Sequence, residues 1–230
     1  MTSNRATTPS RESLTLAILT VVVALVAAGM VGSGRASALE GVSFVTGAIC
    51  VWLTVKENVW NFPMGALNAA TFSVVFFQAR LFGDAGLQIV YVVLNLAGWY
   101  MWLYGGDENT ALRLARASAI ERAVMGASIT ICTLILWKTL HFVGGSSSFW
   151  DAATTSASLG AQWWMNRKRV ETWHLWIVVD ILYVPLYFYR GLALTGLLYA
   201  VFLVMAVLGL QHWTATWKAA RDEGQRREEP

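Results

Sequence analysis

The chain has 230 residues, of which 56% are hydrophobic and 13% are charged, and its formal net charge is +3. Charged residues make up about a quarter of an ordinary soluble domain. Since a bilayer-spanning helix needs about 20 mostly apolar residues, this chain has room for eight spans and for little else. The composition therefore excludes a soluble enzyme with its own cofactor domain and indicates an all-α integral membrane protein.

The first residues, 1–13, are polar and are predicted to form a cytoplasmic tail ahead of an extra N-terminal transmembrane helix over 14–33. This apolar run also fits a signal peptide cleaved near Ala36-Ser37-Ala38, but its length favours a retained helix. Seven further apolar runs predict transmembrane helices over 41–55, 62–82, 86–105, 122–143, 149–166, 172–190 and 194–217. The charged residues 218–230 are predicted to form a second cytoplasmic tail.

Lys and Arg are distributed unequally between the two sides of this predicted topology. Thirteen of the 17 lie in the two tails or in the loops near 56–61, 106–122 and 167–171, and four lie on the opposite side. Because cytoplasmic loops are enriched in Lys and Arg, both termini are predicted to be cytoplasmic in a multi-pass protein of the cell membrane. The net positive charge follows from this topology, so no nucleic-acid partner is predicted.

The apolar core of the chain, 41–217, contains a weak internal repeat at an offset of about 111 to 113 in the numbering. The matched pairs are Gly98 with Gly209, Trp102 with Trp213, Trp60 with Trp173, and Asn68 with Asp180. The predicted units are repeat one over 41–105 and repeat two over 149–217, joined by a linking helix over 122–143. Equivalent helices are four helices apart, so the repeats are parallel, as in small sugar carriers of the SWEET type. This predicts a 3+1+3 transmembrane core.

Polar residues inside the predicted spans are the candidate ligand contacts, because polar groups are costly in lipid and need a partner or a water-filled path. Gln88, Tyr91 and Asn95 are spaced so that they share one helical face. A second stripe places aromatic rings around a mid-membrane carboxylate, and it comprises Trp173, Trp176, Asp180, Tyr183 and Tyr187. Such a pocket suits a flat, cationic ligand through ion pairing and cation–π attraction. The remaining deep polar candidates are Asn68 and Gln162.

Catalytic motifs are not found in the sequence. The three His residues are scattered, no metal-ligand spacing or Walker motif occurs, and neither a cofactor nor a metal is predicted. The sequence therefore predicts a protein that is not an enzyme. Two further classes stay open, namely a light sensor or receptor, with Lys138 as a candidate retinal Schiff base, and an interaction scaffold.

Three segments and one short motif together resemble the PnuC-type nicotinamide riboside transporters. The segments are Trp60-Asn61-Phe62-Pro63-Met64-Gly65 with Asn68, the run from Leu87 to Trp102, and the run from Met165 to Asp180; the motif is Phe149-Trp150-Asp151. The resemblance covers about residues 40 to 215. It implies a seven-helix 3+1+3 core, a homotrimer in membrane lipid, and passive uptake through one pore in each protomer.

The resemblance also implies where a small-molecule substrate binds and how it is retained. The ligand is expected between the repeats, in contact with Gln88, Asn95, Gln162, Trp173, Trp176, Asp180 and Tyr183, with Asn68 as the counterpart of Asp180. Nicotinamide riboside carries a pyridinium ring, which agrees with the anionic, ring-lined stripe. A cytosolic kinase would trap the riboside by phosphorylation. Some relatives have Asn in place of Asp180 and Gln in place of Arg190, so thiamine, riboflavin and deoxynucleosides stay open as substrates.

Overall fold

The computed structural model describes residues 11–34, 37–78, 82–142, 149–189 and 193–228. Within these ranges the chain forms eight α-helices, one 3₁₀ turn over Asp107–Asn109, and no β-strand. The helices are α1 (Arg11–Gly32), α2 (Ala38–Val55), α3 (Asn61–Gln78), α4 (Phe82–Tyr104), α5 (Ala119–Phe142), α6 (Phe149–Asn166), α7 (Thr172–Tyr189) and α8 (Ala193–Glu228). The all-α prediction is confirmed for the part of the chain that the structure describes.

Among the described residues, three helical segments are long and apolar enough to cross a membrane, namely Ala85–Tyr104, Ala119–Thr139 and Gly196–Glu223. Three shorter apolar segments are Ile18–Gly32, Gly41–Val55 and Thr172–Leu186. The helix α6 is more polar, and its hydroxyl groups donate to carbonyls of its own preceding turn, as Ser156 does to Ala152 at 2.8 Å and Ser158 to Thr154 at 2.8 Å. Both serines are buried, so the hydroxyl-bearing face of α6 packs against protein.

Two sets of three helices recur along the chain at one constant spacing. The helix α2 begins at Ala38, and α6 begins at Phe149. The first residues of α3 and α7 are separated by the same number of positions, and so are those of α4 and α8. We call this separation the repeat spacing. The paired helices α2 and α6 are each 18 residues long, as are α3 and α7. We refer to α2, α3 and α4 as unit one and to α6, α7 and α8 as unit two.

The two units pack against each other through α2 with α8 and through α4 with α6, while α5 packs on α6. The helix α1 lies outside unit one and contacts α2 and α8. Small side chains allow this approach, since Val23 and Ala27 of α1 belong to one buried cluster with Phe44 and Ala48 of α2. The extra helix is thus packed onto the bundle by its own apolar face.

The last helix is longer than the sequence indicated. The prediction ended it at residue 217, whereas α8 continues as a helix to Glu228. The segment after Trp217 consists mostly of Lys, Arg, Ala, Glu and Gln, which have high helix propensity, and its Pro comes only at position 230. The high charge of this segment therefore does not end α8.

Candidate functional site

Asp180 is the deepest carboxylate of the described chain, on α7 in unit two. Its side chain is 4% exposed, and it forms no hydrogen bond or ion pair with any described residue. Five residues further along α7, Pro185 lacks a backbone N–H, so it cannot donate to a carbonyl of the preceding turn. A buried carboxylate without a protein partner is unfavourable by itself. Asp180 is therefore a candidate to bind a cationic ligand.

Three residues from both units meet near this level of the bundle. Tyr91 of α4 lies close to Ser158 of α6 and to Tyr183 of α7. The ring of Tyr183 packs on Tyr199 of α8, with 5.0 Å between the ring centroids. Tyr91 and Tyr183, which the sequence placed on two separate stripes, are therefore brought together between the units.

Amide side chains connect α4 with α6 close to the same interface. Asn95 is buried and donates from Nδ2 to the Tyr91 carbonyl at 2.8 Å. Gln162 donates from Nε2 to Asn166 Oδ1 at 3.1 Å, and Asn166 donates from Nδ2 to the Leu94 carbonyl at 2.8 Å. The structure thus links Gln162 to α4 through Asn166, a fully buried residue that the sequence analysis did not single out.

Asn68 and Asp180 differ in their surroundings. The Asn68 Nδ2 group donates to the Ser43 carbonyl and, at 3.2 Å, to Thr46 Oγ1, both on α2. Asn68 therefore ties α3 to α2 inside unit one. The repeat spacing puts Val179, and not Asp180, in register with Asn68, so the pairing that the sequence predicted is shifted by one position.

The two tryptophans of the α7 stripe occupy a different environment from Tyr183. Trp173 is 1% exposed and packs edge-on against Trp213, with 5.4 Å between the ring centroids. Trp176 is partly buried against the same cluster. The indole Nε1 groups of both are buried and have no hydrogen-bond partner among the described residues. Trp173 is thus a core residue, whereas Trp176, one turn before Asp180 in the sequence, is partly buried and has an unpaired indole donor.

Gln88 makes none of these contacts, and two surface grooves lie elsewhere on the bundle. Gln88 is half-buried on α4 and has no hydrogen-bond partner among the described residues. A groove of about 410 Å³ runs between α5 and α6, and a second of about 420 Å³ is bordered by Arg116, Arg122 and Glu171. Asp180 borders neither groove.

Contacts at one end of the bundle are repeated between the units, in a cluster that we call the tryptophan cluster and that contains Phe62, Trp102, Met165, Trp173 and Trp213. Trp102 of unit one donates from Nε1 to the Met165 carbonyl of unit two at 2.9 Å. Trp213 of unit two donates to the Thr54 carbonyl of unit one at 3.2 Å. The two donors are separated by the repeat spacing, and so are the two acceptors, so the two hydrogen bonds are reciprocal.

The ring packing in the tryptophan cluster follows the same spacing. Phe62 meets Trp102 edge-on at 4.9 Å, and Trp173 meets Trp213 edge-on at 5.4 Å. The repeat spacing also separates Phe62 from Trp173, so Trp173 takes the place of Phe62, whereas the sequence had matched it with Trp60. Equivalent ends of equivalent helices therefore meet at one end of the bundle.

No group of three or more His, Cys, Asp and Glu that could hold a metal ion occurs among the described residues. The bundle is instead built from apolar helices in two similar units, with aromatic rings where the units meet and one buried, unpaired carboxylate on α7. Polar and ionisable residues in such a position mark a path for a substrate. This arrangement defines the class as a small-molecule membrane transporter.

Comparison with known proteins identifies the family. The model of the nicotinamide mononucleotide transporter family matches residues 37–215, and the chain belongs to this family. It is 31% identical over 200 residues to the nicotinamide riboside transporter PnuC of Neisseria mucosa, covering 81% of this chain and 75% of that protein. The PnuC protein of Escherichia coli is 26% identical over 214 residues, covering 82% and 88%.

Two further similarities bear on structure and on substrate. A crystal structure of the vitamin B3 transporter PnuC superposes with a TM-score of 0.73 at 26% identity, covering 89% of this chain and 92% of that one. The riboflavin/roseoflavin transporter RibM of Streptomyces davaonensis is 29% identical over 175 residues, covering 74% of this chain and 81% of that protein. The predicted family is confirmed. Because it is a family of transporters, it is preferred over the enzyme, receptor and scaffold interpretations.

Proposed function

We propose that this chain transports nicotinamide riboside across the cell membrane and thereby supplies a precursor of NAD. The observation that carries the proposal is the buried Asp180 carboxylate, which has no partner among the described residues and stands one turn from Trp176. The pyridinium ring of the riboside is flat and positively charged, so it supplies the charge that this carboxylate lacks and a surface for aromatic contact. The PnuC relatives named above support this choice of substrate.

The riboside would bind between the two units, with each candidate residue in a separate role. Asp180 acts as the counter-ion of the pyridinium, and Tyr91 and Tyr183 supply rings beside it. The amide groups of Gln88, Asn95 and Gln162 lie on the faces of α4 and α6 and serve the hydroxyl groups of the ribose. Trp176 donates its indole N–H to the ligand, while Trp173 and Asn68 support the pocket from within their own units.

The proposed architecture is a 3+1+3 core with parallel repeats and α1 as an additional transmembrane helix. The constant repeat spacing and the reciprocal tryptophan hydrogen bonds support it. The proposed orientation has both termini in the cytoplasm, which puts the tryptophan cluster on the cytoplasmic side. The Lys and Arg residues near 56–61, 106–122 and 167–171 support this orientation. The resemblance supports a homotrimer in the membrane.

Transport is proposed to be facilitated diffusion by alternating access, with one unit moving against the other around a fixed site. Asp180 is occupied as the counter-ion of the ligand, so the proposal includes no coupled proton. Net uptake then requires phosphorylation of the riboside by a cytosolic kinase, since a phosphorylated product no longer fits a site of this charge. This predicts exchange of labelled riboside in both directions across vesicles that contain the purified protein and no kinase.

A related flat vitamin is the second candidate, because RibM matches 74% of this chain. Thiamine is also cationic, whereas riboflavin and deoxynucleosides are neutral. The test is thermal stabilisation of the purified protein by each of the four compounds at equal concentration, since a ligand that binds only the folded state raises its stability. The proposal predicts the largest shift with nicotinamide riboside. A larger shift with riboflavin would overturn it.

A further inference from the structure

Glu57 and Lys168 occupy matching positions in the two units, two residues beyond the ends of α2 and α6. The repeat spacing separates them in the sequence. Their side chains form an ion pair between the units, with 3.1 Å between Lys168 Nζ and Glu57 Oε2. The Glu57 side chain is 18% exposed and the Lys168 side chain is 14% exposed. Two equivalent positions of a duplicated chain thus carry opposite charges that pair with each other.

The backbone at both positions is in the left-handed region, with φ of 53° at Glu57 and 54° at Lys168. After the end of a helix this conformation is usually taken by Gly or Asn, because a Cβ disfavours it. Neither unit uses Gly or Asn here. An unfavourable backbone held at equivalent sites points to a function for the side chains, and the ion pair is what those side chains form.

The ion pair is connected to the reciprocal tryptophan contacts through shared carbonyl groups. The Thr54 carbonyl accepts from the Glu57 N–H at 3.0 Å and from the Trp213 indole. The Met165 carbonyl likewise accepts from the Lys168 N–H at 2.9 Å and from the Trp102 indole. Each turn that presents a charged residue therefore also holds a tryptophan of the opposite unit.

Lys168 also contacts unit one through an aromatic ring. Its Nζ lies 4.7 Å from the centroid of the Trp102 ring, close enough for cation–π attraction. The neighbouring ion pair of Arg169 with Glu121, at 2.7 Å, has a different connection, because it joins the turn after α6 to α5. Two adjacent residues of one turn thus bind two different parts of the bundle, and only Lys168 reaches unit one by its ion pair.

We propose that the Glu57–Lys168 pair is a latch of the transporter, which holds the two units together at the tryptophan cluster and separates when the pathway opens at that end. The inference rests on the alternating-access function proposed above. Both charges are near the surface, so water can solvate each of them when the pair separates. The pair therefore closes this end of the bundle reversibly. Glu57 and Lys168 act by positioning the units and do not contact the substrate.

The first test measures a distance and needs no substrate. Spin labels are attached to cysteines at the exposed positions Asn58 and Arg167, in a chain that also carries Cys50→Ala and Cys132→Ala. Glu57→Lys places two lysines at the latch, and a longer-distance population is expected to replace part of the short one. The double variant Glu57→Lys with Lys168→Glu restores opposite charges and is expected to restore the short distance. Arg169→Glu, beside Glu121, is the matched control and is expected to leave the distance unchanged.

A distance distribution that Glu57→Lys leaves unaltered would overturn the latch. So would a double variant that stays as open as the single one, because the effect would then come from the backbone rather than from the charge pair. The outcome is separable from that of the proposed function. If no vitamin binds but the charge reversal still opens this end, the latch stands and the substrate assignment fails.

The second test joins the units covalently. Cysteines at Glu57 and Lys168, in the same chain without Cys50 and Cys132, are bridged by a reducible, flexible thiol cross-linker. Loss of riboside uptake into vesicles, with riboside binding retained and uptake recovered on reduction, is the expected result. The control pair replaces Glu121 and Arg169, and its cross-link is expected to leave uptake intact. Uptake that continues with the units joined at 57 and 168 would contradict the latch.

Discussion

The tryptophan cluster and the surroundings of Asp180 lie in the same bundle, but only the tryptophan cluster follows the sequence repeat. In the cluster, equivalent residues make equivalent contacts, as the indoles of Trp102 and Trp213 show. Around Asp180 the equivalence fails, because the residue one repeat spacing before Asp180 is Ala69, so unit one has a buried methyl group where unit two has a buried carboxylate. Where packing must be the same the units agree, and where a ligand is proposed to bind they differ.

The largest effect is expected at two equivalent glycines that approach neighbouring helices closely. A Cβ at Gly98 would collide with Phe62 and Asn166, and one at Gly209 would collide with the Trp173 ring. Gly98→Val and Gly209→Val should therefore each lower the free energy of unfolding by about 1–3 kcal/mol or more. Gly126→Val is the control, since a Cβ there meets nothing within 4 Å. Thermal unfolding of detergent-purified protein measures all three variants. A mild effect at only one of the paired glycines would contradict the equivalence of the two units at this end.

Comparable losses are expected from the two indole hydrogen bonds. Trp102→Phe and Trp213→Phe each remove one buried donor, and each should lower the free energy of unfolding by about 1–3 kcal/mol. The reciprocal geometry predicts similar values for the two, measured by the same thermal unfolding. If Trp102→Phe were severe and Trp213→Phe neutral, the two units would not contribute equally at this end.

Asn68 and Asp180 should respond to truncation with opposite signs. Asn68→Ala removes hydrogen bonds to α2 and should lower the free energy of unfolding by about 1–3 kcal/mol. Asp180→Ala removes a buried carboxylate that has no described partner, so the ligand-free protein should be as stable as the wild type or more stable. Unfolding without ligand gives the sign for each variant. A strongly destabilised Asp180→Ala protein would mean that the carboxylate has a structural partner.

The sequence was sufficient for the helices and for the existence of the repeat, because apolar runs and their spacing are local properties. It was less reliable for register. Matching identical residues made Trp60 the counterpart of Trp173 in the other repeat. The packing instead makes Phe62 its counterpart, since either ring can form the edge-on contact with the tryptophan of the next helix. The turn residues Glu57 and Lys168 could not be recognised, because neither is a Gly or Asn that would mark a helix C-terminal turn, and their ion pair joins two units that are distant in the sequence.

The candidate site was predicted in outline for a similar reason. Tyr91 and Tyr183 stood out as polar residues in apolar helices, and the structure brings them together. Asn166 was missed because it is the last residue of the predicted helix over 149–166 and precedes three basic residues, whereas the candidates were sought inside the spans; its side chain is nevertheless fully buried and joins Gln162 to the Leu94 carbonyl. Trp173 belonged to the aromatic stripe by spacing, but its burial could be learned only from the packing around Trp213.

The most direct test of the central claim compares two ligands and two proteins. Oxidised nicotinamide riboside is cationic, whereas its reduced dihydropyridine form is neutral and nearly the same shape. The wild type is expected to bind the oxidised form at least about tenfold more tightly, because Asp180 supplies the opposite charge in a buried site. Asp180→Asn keeps the shape of the side chain and should abolish that preference in calorimetric titrations. Retention of the full preference by Asp180→Asn would contradict the role of Asp180 as the counter-ion of the substrate.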